Sequence, residues 1–322
     1  MRSLIFNEMA NKMNSYCAIL VFFFETTNIA SIFFNLILVK KINMRFPLVI
    51  LVVLHAILLV NCGAKKNTDV SYLESQNENS LKAPKLNVFV PRKASAEQVP
   101  VLIFVHGGNW NTGRKGTYDL LGRNFASNGI VTVIPDYTLS PNATYYDMAK
   151  QIASVIQWTK NNISQYNGNP NQIFITGHSA GGHLGALAVM NPKYGIDSNS
   201  ISGIILNDAA GLDMNNYLEG NPPTSKDDYL TTWTSNPEQW KAASPIYFLS
   251  KNTPPFLIYV GDKTYNSIKV ANSRFLSAMK PFQPDVTPIR LNKKHVPMVV
   301  QYFYPWSDRF DEVIDFMKSN LK

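Results

Sequence analysis

Gly177-His178-Ser179-Ala180-Gly181 follows the apolar run Gln172-Ile173-Phe174-Ile175-Thr176 and leads into the small residues Gly182 to Ala188. A buried strand that enters G-x-S-x-G and leaves as a helix lifts the serine hydroxyl above the strand end. Glycines at both ends of the pentad remove the Cβ atoms that would block so sharp a turn. The first N–H groups of the following helix then face any oxyanion that forms beside Ser179. A second glycine motif lies upstream, where the apolar strand Pro100–Val105 runs into His106-Gly107-Gly108-Asn109-Trp110. Unobstructed backbone N–H groups at Gly107 and Gly108, with that of Ala180, would make a hole for the oxyanion of acyl transfer. The chemistry these residue types suit is nucleophilic attack by a serine.

A serine hydroxyl needs a base, and the base needs an acid to orient it. Of the five histidines, His55 falls in an apolar N-terminal run, His106 in the glycine loop, and His178 and His183 flank the nucleophile. His295 alone is free to arrive from elsewhere, on a loop after the strand-like Thr287–Leu291. For the acid, Asp262 is the first choice: it follows the apolar strand Pro255–Val260 and keeps the chain order serine, aspartate, histidine. Asp208, after the run Ile201–Leu206, and Asp213 compete with it. Trp110, just past the glycines, is a candidate for the substrate pocket.

Apolar runs at 87–91, 100–105, 130–135, 172–176, 201–207, 254–260 and 287–291 alternate with helical stretches near 117–128, 147–163, 179–190, 268–281 and 306–321. Strands apolar on both faces and separated by helices predict an α/β fold, a mostly parallel sheet covered on each side. Met148, Ile152, Val155, Ile156 and Thr159 share one face of the second helix. Ligands in such sheets sit beyond the C-terminal strand ends, where both glycine motifs fall. The stretch between 201–207 and 254–260 is rich in Asn, Pro, Tyr and Trp and reads as a small insertion that lids or walls the pocket. Within it, Trp240 is expected to pack.

The run from His106 to Trp110, then Asp136-Tyr137 with Leu139 and Pro141, the helix carrying Ile156, Trp158 and Asn161, Gly168 to Ile173, and the elbow through Leu184 resemble one family. It is the α/β-hydrolase superfamily, in the branch of hormone-sensitive-lipase-like carboxylesterases, polysaccharide esterases and kynurenine formamidases. The resemblance spans about residues 87–322. It implies Ser179 as nucleophile, His295 as base and Gly107, Gly108 and Ala180 as oxyanion donors. One departure stands out. The family carries its acid two or three residues past a glycine, before a Val-Pro pair, whereas here Gly261 is followed at once by Asp262 and then Lys263-Thr264-Tyr265. The resemblance implies hydrolysis of short acyl esters, acetyl or feruloyl groups on carbohydrate among them. An aryl-formamide hydrolase is the alternative enzyme, and a membrane-anchored binding module with a broken triad the alternative without catalysis.

Residues 44–62 read as a signal peptide: Arg45, a long apolar run and then Leu59-Val60-Asn61-Cys62. The form is that of a bacterial lipoprotein signal, so export to the cell envelope and a lipid anchor at Cys62 are expected. Residues 1–43, with a second apolar stretch, read as a doubtful leader preceding the true start at Met44. Polar residues 63–86 read as a linker, and 87–322 as the catalytic domain. Cys17 and Cys62 are the two cysteines, so the domain holds neither a disulfide nor a cysteine nucleophile. Histidines and carboxylates show no metal-ligand spacing, and no cofactor is needed. The formal charge of +8 falls to 25 basic against 20 acidic residues beyond residue 62, a solvated surface rather than a nucleic-acid site.

Overall fold

The computed structural model describes residues 64–73, 83–93, 95 and 97–321. The signal peptide at 44–62, its Cys62 and the leader 1–43 lie outside the described residues. Eight strands form one sheet: β1 (Lys65–Ser71), β2 (Lys85–Val90), β3 (Val99–Val105), β4 (Val131–Pro135), β5 (Gly168–His178), β6 (Gly203–Asn207), β7 (Phe256–Gly261) and β8 (Ile289–Leu291). Their order is β1-β2-β4-β3-β5-β6-β7-β8. From β4 to β8 all neighbours are parallel, while β1 and β2 run antiparallel at one edge. The expected α/β sheet is present.

The helices are α1 (Asp119–Ser127), α2 (Tyr145–Asn162), α3 (Ala180–Met190), α4 (Met214–Gly220), α5 (Tyr229–Trp233), α6 (Pro237–Ala242), α7 (Asn266–Met279), α8 (Pro297–Val300) and α9 (Arg309–Ser319). Alternation along the strands splits the core into two layers. Val101, Ile103, Val105, Ile173 and Ile175 face the layer built with α2 and α3. Leu102, Phe104 and Phe174 face the other, closed by α1, α8 and α9. In α2 the five expected core residues, Met148 to Thr159, are all buried. Its start is fixed by a capping box in which Thr144 and Asp147 each satisfy the other's backbone N–H.

The linker expected at 63–86 is not a linker throughout. Lys65–Ser71 form β1, which pairs with β2, and Tyr72 donates its hydroxyl hydrogen to the Asp136 carbonyl at 2.8 Å. Lys66 pairs with Asp119 of α1. A polar edge strand is held by backbone hydrogen bonds and exposes most of its side chains, so it carries no apolar pattern. Between β6 and β7, α4, α5 and α6 make the expected insertion. Trp240 packs in it, buried, its indole N–H donating to the Thr234 carbonyl at 3.1 Å.

Candidate active site

At the β5–α3 junction the chain turns through Ser179 with φ +55° and ψ −124°. That conformation is strained for a residue with a Cβ, typically by about 1–3 kcal/mol, and persists only where its surroundings impose it. Here they do. The Ser179 N–H donates to the Asn207 carbonyl at 3.3 Å, and its carbonyl accepts from His183 and Ala210. A Cβ on Gly181 would stand 2.0 Å from the Val105 carbonyl oxygen, so only glycine lets α3 start against β3. Ala180 opens α3, and its N–H has no acceptor within the helix.

At the end of β3, Gly108, Asn109 and Trp110 all have positive φ, which curls the loop over the strand end. A Cβ on Gly107 would lie 2.7 Å from the His178 carbonyl and 3.1 Å from the Ser179 Cβ, so this glycine presses directly on Ser179. His106 steadies the loop from behind, its Nδ1 2.8 Å from the Gly107 carbonyl and its ring stacked 4.5 Å from Tyr137. Gly107, Gly108, Trp110, Ser179 and His295 line one cavity of about 590 Å³. The expected nucleophile, the expected base and both glycines meet there.

The expected acid does not join them. Asp262 sits beyond β7 with its side chain 45% exposed, 3.6 Å from Arg290. Instead His295 Nδ1 and Asp208 Oδ2 are 2.6 Å apart, and Asp208 is fully buried. The cause is register. Asn207 of β6 is paired with His178 of β5, so the next residue on each strand places Asp208 beside Ser179. Asp208 is held there by the Gly261 N–H, 2.9 Å from Oδ1, and by the Thr264 hydroxyl, which donates to Oδ2. Thr264 stands three residues past Gly261, where the family keeps its acid, and its Oγ1 is 3.4 Å from His295 Nδ1. A hydroxyl therefore fills the usual acid position and supports a carboxylate from the preceding strand. Asp213, the other candidate, caps α4 and pairs with Arg274 at 2.6 Å.

Among the described residues, His178, Asp208 and His295 form one group whose donor atoms lie within 4.8 Å. Two features fit a hydrogen-bonded pair better than a metal site. The 2.6 Å between His295 and Asp208 is hydrogen-bond contact with no room for an ion. His178 Nε2 is already engaged, 3.0 Å from the His295 carbonyl, which ties the His295 loop to the elbow. The rings of His178 and His295 lie 4.4 Å apart.

Trp110 lines the cavity but is itself buried, edge-on to Trp233 at 4.7 Å. Its indole N–H donates to His183 Nδ1 at 3.1 Å, and His183 Nε2 donates to the Ala243 carbonyl at 2.7 Å. These partners fix the neutral tautomer, since a proton on Nδ1 would face another N–H. Burial pushes the His183 pKa down to about 4, and that of His178 likewise to about 4. The unfolded chain binds these protons near pH 6.5, so their contribution to stability is complete above that value and is lost as pH falls towards 4. Each amounts to about 3 kcal/mol at most. Thermal melts of the wild type should therefore drop steeply from pH 7 to 5. His183→Gln should melt lower at pH 7 and show a shallower drop; equal slopes would contradict the assignment.

The sheet order and the turn at Ser179 define the α/β-hydrolase fold. Residues 86–279 match the model of the BD-FAE family, and the chain belongs to that family. It is 31% identical over 227 residues to esterase LipQ of Mycobacterium tuberculosis, covering 67% of this chain and 52% of that one. To esterase LipC of the same organism it is 28% identical, over 63% of this chain and 53% of the relative. The chain thus spans about half the length of these curated relatives. Esterase B from Lactobacillus rhamnosis superposes with a TM-score of 0.65 at 19% identity, over 80% of this chain and 87% of that one. Butyrate-bound esterase 2 of Thermogutta terrifontis gives 0.61 at 23% identity, over 79% and 95%. At these identities the superpositions speak for the fold.

Proposed function

We propose that this protein is a serine carboxylesterase that acts on short-chain acyl esters, with acetyl or feruloyl groups on carbohydrate as its natural targets. The observation that carries the reading is the meeting of Ser179 with the His295–Asp208 pair and the Gly107–Gly108 loop in one cavity. His295 Nε2 takes the Ser179 proton as Oγ attacks the ester carbonyl, and Asp208 steadies the resulting imidazolium through Nδ1–H. The negative oxygen rests on N–H groups of Ala180 and of Gly107 or Gly108. Collapse of the intermediate expels the alcohol, which leaves with the proton from His295. Water, deprotonated by the same histidine, then attacks the acyl-enzyme and releases the acid. The relatives' names as esterases support the reaction class.

Acyl length is set by the cavity, whose walls include Trp110, Tyr217 and Tyr229. Bulky aromatic walls favour a short acyl chain or a flat aryl one over a long aliphatic one. A series of p-nitrophenyl esters should give the highest kcat/KM from acetate to butyrate. By octanoate the value should fall about tenfold or more, the size of effect that misfitting methylenes produce. A maximum at long chains, or a flat profile, would overturn the short-acyl reading.

A further inference from the structure

A second groove of about 360 Å³ lies beside the catalytic cavity, on the segment that follows His295. The two share Val296 as a common wall. Along this groove Tyr304 and Trp306 stand 48% and 52% exposed, their ring centroids 5.4 Å apart and their planes tilted by 36°. Adjacent exposed aromatic faces beside a cleft mark a ligand-binding groove. Tyr265, 63% exposed and edge-on to the His295 ring at 5.2 Å, adds an exposed aromatic to the catalytic cavity on the other side of Val296. Polar groups border it: Lys293, whose ammonium donates to Gln301 Oε1 at 2.6 Å, and Ser307. None of Lys293, Tyr304 and Trp306 falls within the residues matched by the family model.

We propose that Tyr304 and Trp306 form a platform for the sugar rings of a glycan whose acyl ester is held at Ser179. This rests on the esterase reading and names the residues that hold the carbohydrate side of its substrate. A pyranose presents a flat C–H face that stacks on an aromatic ring, while its rim hydroxyls need hydrogen-bond partners. Exposed rings bordered by an ammonium and a hydroxyl answer both needs. Continuity through Val296 gives the geometry: an ester at Ser179 sends its alcohol part along the groove. A lipid surface would call for a broad aliphatic patch and fits this mixed border less well.

The test uses the full chain, its Trp306→Ala and Tyr304→Ala variants, and the conservative Trp306→Tyr. Two substrates are compared: p-nitrophenyl acetate, too small to reach the platform, and acetylated xylo- and cello-oligosaccharides. The alanine variants should keep wild-type kcat/KM on the small ester and raise KM for at least one acetylated oligosaccharide about tenfold, with Trp306→Tyr recovering most of it. Tryptophan fluorescence, titrated with the deacetylated oligosaccharides, should respond in the wild type and not in Trp306→Ala. Wild type active on the small ester, with no glycan turnover and no fluorescence response, overturns the platform and leaves the esterase standing. So does an equal effect on both substrates, or a Trp306→Ala loss confined to sedimentation with phosphatidylcholine vesicles. Wild type that binds oligosaccharide yet cleaves neither ester keeps the platform and refutes the esterase reading instead.

Discussion

Asp208→Asn should lower kcat on p-nitrophenyl acetate by about 10⁴, while Asp262→Asn stays within about twofold of wild type. The first change keeps the shape but offers His295 an amide in place of a carboxylate, so the imidazolium loses its counter-charge and the tautomer is no longer fixed. The second touches an exposed pair with Arg290. A sharper form exploits Thr264, whose Oγ1 lies 3.4 Å from His295 Nδ1. Adding Thr264→Asp to Asp208→Asn puts a carboxylate back within reach of the base, from the loop where the family keeps its acid. The double variant should recover at least about tenfold over Asp208→Asn alone. Thr264→Asp by itself should be impaired, because two carboxylates would crowd one histidine in a buried site. If Asp262→Asn is the variant that loses activity, the geometry at His295 has been misread.

The parts of this site that could be read from the chain share a property: each is local. The elbow announces itself as an apolar run, two glycines and a serine, and the structure shows why Gly181 has no substitute, 2.0 Å being the clearance a Cβ would have. The loop at Gly107 is legible for the same reason. His295 stood out by elimination among five histidines. The partner of His295 was not local. Asp208 reaches it only because β6 lies beside β5 in a register that pairs Asn207 with His178, and no single-strand pattern encodes that register. The signal was nevertheless present, as a threonine at the third position past Gly261 where a carboxylate was due. β1 was missed for a different reason, since a polar edge strand is specified by its partner's backbone more than by its own side chains.

The proposed reaction turns on the Ser179 hydroxyl as nucleophile. The measurement is p-nitrophenyl acetate turnover by the wild type and by Ser179→Ala, each shown folded by circular dichroism. Without the hydroxyl no acyl-enzyme can form, and kcat should fall by about 10⁶, to the residue supplied by the oxyanion groups and binding alone. In the wild type, intact-mass analysis of rapidly quenched enzyme should find a single added acetyl group on the Ser179 peptide, absent from the variant. Turnover that survives Ser179→Ala, or an acetyl group carried elsewhere, would contradict the account.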